Sequence, residues 1–461
     1  MATDTGPVDL TPDLLLGVDR GSGAPMHEQL EQALREHIRS GRLMPEARLP
    51  SSRALAAQLG ISRGVVVEAY AQLTAEGYLV SGQGAPTRVA PAASAERPPV
   101  PATSLEPRRP YDFAPELPDL AGFPREQWLR CLRAALRGAP FAALGPGDTR
   151  GTSELRNELM AYLGRVRGAA PEPEHTLIGG GFAHGFAALC RVLRQRGLER
   201  VAVESPGWHV HRLVAAGAGL EPVPVPVDEQ GIQVDGLAAS GCEVAVLTPA
   251  HQYPTGRVLA PERRAALLEW AEDEDALIVE DDYDSELRYD RMAVGALQGL
   301  APERVCQVGS LSLRLAPALR MGWILSPSWL TGALTYELGL SGGTPAVLDQ
   351  LALTDFLARG ELDRHLRRMR SRYRSRRQAL VAALAQCLPE AQVEGIPAGA
   401  FAFVSLENRL DPGAIASAAA ERGVAVQPAE AGRPALVLGY ANLTEPAIER
   451  GIACLARAIR A

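Results

Sequence analysis

The sequence contains no lysine; all 47 of its basic side chains other than histidine are arginine. Chemistry that needs a primary side-chain amine, imine formation above all, is therefore excluded. Cysteine is sparse: Cys131, Cys190, Cys242, Cys306, Cys387 and Cys454 are scattered and show neither zinc-site nor redox-pair spacing. Such scatter argues against a disulfide framework and suits a reducing cytoplasm. The histidines lack metal-ligand spacing, so no metal is expected. No apolar run reaches membrane length and no secretory signal is read, so a soluble cytoplasmic protein with no membrane partner is expected. A net charge of −7 is too mild to mark the whole chain as a nucleic-acid binder, and any such function must be argued locally.

What is present is a chain of 461 residues, 46% apolar, long enough for two domains. Residues 1–90 read as a first domain, helical from about Pro25 to Ala90 with a hairpin signal at its end. Residues 91–110 are rich in Pro and Ala, as expected of a semi-rigid linker. Residues 111–461 alternate short β-branched runs with amphipathic helices, the signature of an α/β domain with a mostly parallel sheet. Continuous apolar runs at Val201–Glu204, Val244–Thr248, Leu277–Asp281 and Trp323–Ser326 read as strands covered on both faces.

In the first region Met26, Leu30, Leu34 and Ile38 fall on one face of a helix ending at Gly41. A second helix follows Leu49-Pro50, with Ser51 or Ser52 as its cap and Gly60 as its stop. A third starts at Ser62 and buries Val66, Ala69, Tyr70 and Leu73. Tyr78–Val80 and Thr87–Val89 flank a Ser-Gly-Gln-Gly turn and read as a hairpin. Two short helices joined at Gly60–Ile61 form a helix–turn–helix whose second helix presents Ser62 and Arg63, with Arg48 and Arg53 on adjacent segments. Helix amides and arginines suit DNA phosphates, and an arginine can also read a guanine edge. The run PSSRALAAQLGISRGVVVEAYAQLTAEGYL resembles the GntR-family winged helix. The resemblance implies that Arg53, Ser62, Arg63 and the wing glycine Gly84 contact DNA, with Arg48 and Ser52 beside them. Gly64 and Val65 depart from it, standing where related sequences often carry polar residues.

The larger region resembles the MocR/GabR-type regulators, whose second domain is similar to a fold-type-I aminotransferase. The segments that carry this are TPAHQYPTG (248–256), VEDDYDSELRY (279–289) and GSLSLRLAPALRMGW (309–323). The resemblance implies a pyridoxal phosphate pocket. Asp281 would face the pyridine nitrogen, Tyr283 the phenolic oxygen and Trp208 the ring. Arg320 would hold the phosphate beside Gly180, Gly181, Ser310 and Ser312, and His251 would line the same pocket. Where the family carries Ser-Lys-Thr, this chain reads Ser312-Leu313-Arg314, and the neighbouring guanidinium stays protonated and cannot replace the amine. Leu313 and Arg314 are thus counted in an altered ligand pocket without catalytic residues. Further departures are the Gly179-Gly180-Gly181 run, Pro146 in place of an aromatic, and Val437 where aminotransferases often carry a carboxylate-gripping arginine.

Three readings of the pocket stay open: a sensor of another small molecule without covalent pyridoxal phosphate, a noncovalent site for pyridoxal phosphate or its amino-acid adduct, and a purely structural dimerisation domain. The expected protein is a homodimeric regulator of an operator in double-stranded DNA, answering to a small-molecule effector. A fused aminotransferase and an architectural DNA binder are the competing classes. The basic run Arg364–Arg374 reads as an amphipathic helix with Leu366, Met369 and Tyr373 inward, rather than a second DNA surface. The acidic run Glu272–Asp275 is a candidate partner for its arginines.

Overall fold

The computed structural model describes residues 18–19, 21–82, 85–91, 109–289, 294–430 and 432–460. The chain divides into two compact units, residues 1–106 and 107–461. Gly84 and residues 92–108, most of the expected linker, lie outside the described residues.

The first unit contains the helices Met26–Arg39, Ser52–Leu59 and Arg63–Ala75. Leu30, Leu34 and Ile38 of the first helix meet Leu55, Val66, Ala69 and Leu73 in one small core, while Met26 is only half-buried. Ser51, rather than Ser52, caps the second helix by accepting from the Ala54 amide at 3.2 Å. Ser62 caps the third by accepting from the Val65 amide at 3.4 Å. Each cap satisfies an amide that the helix itself leaves unpaired. Gly60 takes the left-handed conformation (φ 65°) that ends the second helix. Leu79–Val80 pairs antiparallel with Arg88–Val89, so the hairpin is present and its inward residues Leu79 and Val89 close the core.

The second unit is built on an eight-stranded sheet. Its order is Thr176–Gly179, Gly322–Leu325, Val305–Ser310, Leu277–Asp282, Val244–Leu247, Arg200–Ser205, Glu221–Asp228, Gly231–Ile232. The interior pairings from Val305–Ser310 to Glu221–Asp228 are parallel; Gly322–Leu325 runs antiparallel to both its neighbours. Burial on both faces is explicit in the packing. Val201, Val203, Val244, Val246, Leu277 and Val279 enter one apolar cluster, and the intervening Ala202, Ala245, Leu247 and Ile278 enter another. A smaller antiparallel sheet joins Gln392–Glu394, Phe401–Ser405, Ala435–Gly439 and Gln427–Pro428.

The helix Glu361–Cys387 is amphipathic as its pattern predicts, with Leu366, Met369 and Tyr373 buried. Its arginines turn back onto the unit: Arg370 donates to the Glu286 carbonyl at 3.0 Å, and Arg372 and Arg376 pair with Asp119 at 3.0 and 3.2 Å. The acidic run does not meet this helix. Glu272 pairs at 3.0 Å with Arg304, which also pairs with Asp275, because Arg304 stands beside the turn that carries both carboxylates.

Candidate functional site: a two-ended pocket at the strand termini

The parallel strands end together, and at their carboxyl ends lies a cavity of about 250 Å³. Crevices of this kind arise where helices leave the sheet and backbone groups lose their ladder partners. Of the residues the sequence singles out, Gly180, Gly181, Trp208, Asp281, Tyr283, Ser310, Ser312, Leu313 and Arg320 line it. The structure adds Pro115, Glu116, Phe182, Ala183, Thr248, Tyr253, Pro317 and Phe401.

Asp281 is the last cavity-facing residue of its strand, on the same face as Leu277 and Val279. Its Oδ2 lies 2.9 Å from His211 Nε2, and both side chains are buried. Its Oδ1 is buried without a partner. Burial raises the Asp281 carboxyl above its usual range, and the His211 hydrogen bond opposes the rise. Glu204, near the end of Arg200–Ser205, two strands along the sheet, accepts from the amide and hydroxyl of Thr248 at 3.1 and 2.7 Å. Burial pushes its carboxyl up to about 7.

Aromatic side chains form the walls. The Phe182 and Trp208 rings are 5.9 Å apart, and His211 lies 5.1 Å from Phe182 and 5.5 Å from Trp208. Trp208 Nε1 donates to Glu116 at 2.7 Å, which fixes the indole at the rim. Tyr253 accepts from Gln427 Nε2 at 3.0 Å, so its own hydroxyl hydrogen remains to be donated. Tyr283 donates to the His251 carbonyl at 2.5 Å, and burial keeps its hydroxyl protonated well above the usual range.

The far end is built to attract an anion. The helix Phe182–Gln195 starts at the cavity, and its first amides have no intrahelical acceptor. Gly181 precedes it at φ +96°, where a Cβ would meet Ser310 Oγ at 3.3 Å. A side chain there would be strained and would crowd the hydroxyl, so glycine lets the two segments approach. Ser310 and Ser312 hydroxyls are 2.9 Å apart, and Arg320, held in the left-handed region, stands exposed at the rim.

Two expected pocket residues lie elsewhere. Arg314 is fully buried on the opposite side of its loop. It donates to Glu286 Oε2 (2.7 Å), Asp282 Oδ1 (3.0 Å) and the carbonyls of Asp282 (2.8 Å) and Ser310 (2.7 Å), and its guanidinium lies 5.0 Å from the Trp323 ring. Consecutive loop residues diverge, so Leu313 faces the cavity while its long charged neighbour goes to the carboxylates. His251 sits behind Tyr283 with Nδ1 2.7 Å from Asp284, stacked 5.1 Å from Phe401, and does not line the cavity. Asp284 supplies the acceptor that draws it there. Val437 is buried against Phe401, Phe403 and Tyr253, an apolar contact in place of a carboxylate clamp.

Sequence reasoning missed His211, Tyr253 and Phe182. Tyr253 is part of the TPAHQYPTG segment and His211 is three residues after Trp208, but which way each side chain points depends on tertiary packing.

In the first unit, Arg53, Ser62 and Arg63 are exposed at the amino-terminal end of the third helix and beside it. Arg63 Nε donates to Ser52 Oγ at 3.3 Å, joining the starts of two helices. Ser52 is half-buried in that contact. Arg48 is half-buried too; it bridges to Arg88 of the hairpin through the backbone, and its Nε is enclosed without a partner.

These two units define a helix–turn–helix regulator carrying an aminotransferase-type domain. Residues 26–89 match the family described as bacterial regulatory proteins, gntR family, and residues 123–455 match aminotransferase class I and II. The chain belongs to the GntR-family regulators that carry an aminotransferase class I and II domain, and it is homologous to regulators of the MocR and PdxR type. It is 34% identical over 419 residues to the pyridoxine biosynthesis transcriptional regulator PdxR of Corynebacterium glutamicum, covering 90% of each chain. It is 32% identical to the probable rhizopine catabolism regulatory protein MocR of Rhizobium meliloti, covering 97% of this chain and 96% of that one. Among solved structures, an archaeal alanine:glyoxylate aminotransferase superposes with a TM-score of 0.70 at 27% identity, covering 76% of this chain and 90% of the other. The α-aminoadipate aminotransferase LysN of Thermus thermophilus gives 0.67 at 27% identity, covering 76% and 92%. Among the described residues no helix is long and apolar enough to cross a membrane.

Proposed function

We propose that this transcription regulator senses a small molecule held noncovalently in its aminotransferase-like domain, and that it is not a transaminase. The observation that carries the reading is Leu313: an apolar side chain lines the cavity where the resemblance puts the Schiff-base lysine, in a chain with no lysine. The remaining groups suit a flat, anionic ligand. Asp281 offers a buried, unpartnered Oδ1, aromatic rings flank the middle, and helix amides, serines and Arg320 sit at the far end.

Pyridoxal phosphate is the cofactor this fold class is associated with, and the pocket fits its noncovalent contacts but not its covalent attachment. The unpartnered Asp281 Oδ1 favours the reading in which pyridoxal phosphate or a relative is the effector, and the pyridoxine-biosynthesis role in the name of the Corynebacterium glutamicum relative agrees with it. Asp281 would accept from the ring nitrogen, Tyr253 and Tyr283 would flank the phenolic oxygen, and Ser310, Ser312 and Arg320 would hold the phosphate.

The first unit would dock its third helix in the major groove of operator DNA, with Arg53, Ser62 and Arg63 at the backbone or base edges. The regulator would act in the cytoplasm as a homodimer. Leu136, Phe141, Leu144, Tyr336 and Leu340 are large apolar side chains left exposed, and they are the candidates for contact with a second copy.

The test is binding of the full-length protein to DNA upstream of its own gene, with and without pyridoxal phosphate, followed by borohydride reduction and intact mass. DNA binding that responds to the ligand with unchanged protein mass is the expected result. Turnover of an amino acid with added pyridoxal phosphate would overturn the assignment.

A further inference from the structure

We infer that Leu313 removes any preference of this pocket for the aldehyde form of a phosphorylated hydroxypyridine over the alcohol form and makes it select against the aminomethyl form. The inference rests on the noncovalent reading of the same site and names the ligand class that site prefers.

The two ends of the cavity are indifferent to the substituent that distinguishes these three molecules. At one end Asp281 Oδ1 is buried without a partner, so a ligand N–H there removes the cost of a desolvated acceptor. At the other, the amides of the helix Phe182–Gln195 and the hydroxyls of Ser310 and Ser312 receive the phosphate. All three molecules carry the same ring nitrogen, phenolic oxygen and phosphate. Selection must come from whatever faces the variable carbon.

Leu313 is on the loop that also carries Ser312, lines the cavity, and packs from behind against the main apolar core. An aldehyde gains its advantage in a protein by condensing with an amine, which forms a C=N bond and releases water. No lysine exists in this chain to supply that amine, so the carbonyl contributes nothing beyond its size. The aminomethyl form fares worse. At neutral pH it brings an ammonium; the ligand's own phenolic oxygen can accept one of its hydrogens, but Leu313 offers nothing to the others, and stripping a charge of water against an apolar wall is costly. The hydroxymethyl group is neutral and can turn its hydroxyl towards the ligand's own phenolic oxygen. It leaves the contacts at both ends intact.

The experiment is calorimetric titration of the full-length protein, in amine-free buffer at neutral pH, with pyridoxine 5′-phosphate, pyridoxal 5′-phosphate, pyridoxamine 5′-phosphate and inorganic phosphate. The expected order places the alcohol at least level with the aldehyde and the aminomethyl form about tenfold weaker or more, inorganic phosphate being weakest. L313K should tip the order in favour of the aldehyde and add a borohydride-reducible adduct located at residue 313, where no other lysine side chain competes. An aldehyde preference of about tenfold in the unaltered protein, or equal binding of all three, overturns the selectivity while leaving the pocket reading intact. Failure of all three phosphorylated pyridines to bind overturns both. The ranking in the unaltered protein decides the matter even where L313K does not fold.

Discussion

Asp281 and Asp282 are neighbours in one strand, yet they work on opposite faces of the sheet. Asp281 Oδ2 lies 2.9 Å from His211 on the cavity side, and Asp282 Oδ2 lies 3.0 Å from Arg167 on the other. Their acidities diverge accordingly. Burial raises the Asp281 carboxyl, whereas at Asp282 the same burial is outweighed by Arg167 and Arg314, which hold the carboxyl well below its usual range. One strand end therefore presents a buried, unpartnered carboxylate oxygen beside the cavity and, one residue later, an anchor for the loops that shape it.

Replacing Asp281 by Asn removes the acceptor charge with little change of shape. The affinity for pyridoxine 5′-phosphate should fall about tenfold or more, because a charge-assisted hydrogen bond in a buried site is lost. DNA binding without the ligand should be unaffected. Calorimetry on the variant checks this, and an unchanged dissociation constant would remove Asp281 from the site.

Arg314→Ala should be destabilising by about 3–5 kcal/mol, since it leaves Asp282 and Glu286 buried with a partner missing. Urea unfolding of the large unit gives the value. A loss below about 1 kcal/mol would mean that the carboxylates find water or Arg167 instead.

Glu204 sets a pH dependence of stability. Its carboxyl is raised from 4.5 to about 7 by burial, so the folded state holds a proton that the unfolded chain releases. Its contribution is intact below about pH 4.5 and is lost as the pH rises towards 7, by about 3 kcal/mol at most. Glu204→Gln should therefore match the parent in acid and exceed it at pH 8. Parallel denaturation midpoints at every pH would refute this.

Arg63→Ala should weaken binding to the operator and reduce the slope of log affinity against log salt by about 1, the signature of one lost phosphate contact. Fluorescence anisotropy over a salt series measures both. An unaltered slope and affinity would place DNA elsewhere on the first unit.

Phe141 is 96% exposed. If the surface around it receives a second copy, Phe141→Asp should shift the protein from dimer to monomer in light scattering. A dimer of undiminished stability would put the interface on another face.

The sequence by itself determined the two-part organisation. Helical spacing in residues 26–75, the cap at Ser62, and the buried strands at residues 201–204, 244–248, 277–281 and 323–326 were legible because period and turn chemistry are local properties, whereas the choice of Ser51 over Ser52 as the second cap was left to the fold. The absence of lysine, too, is a property of composition that no fold can alter. Most of the pocket was legible through the family resemblance, because its residues lie in short motifs at strand ends. Tertiary structure alone decided the direction of each side chain leaving those motifs. It sent Arg314 to Asp282 and Glu286 and turned His251 onto Asp284 and Phe401. It brought Tyr253 and Phe182 to the cavity and His211 to Asp281. Such directions depend on which buried charge or ring lies within reach after packing, and Arg314 and Glu286, 28 residues apart in the chain, meet only once the strands are aligned.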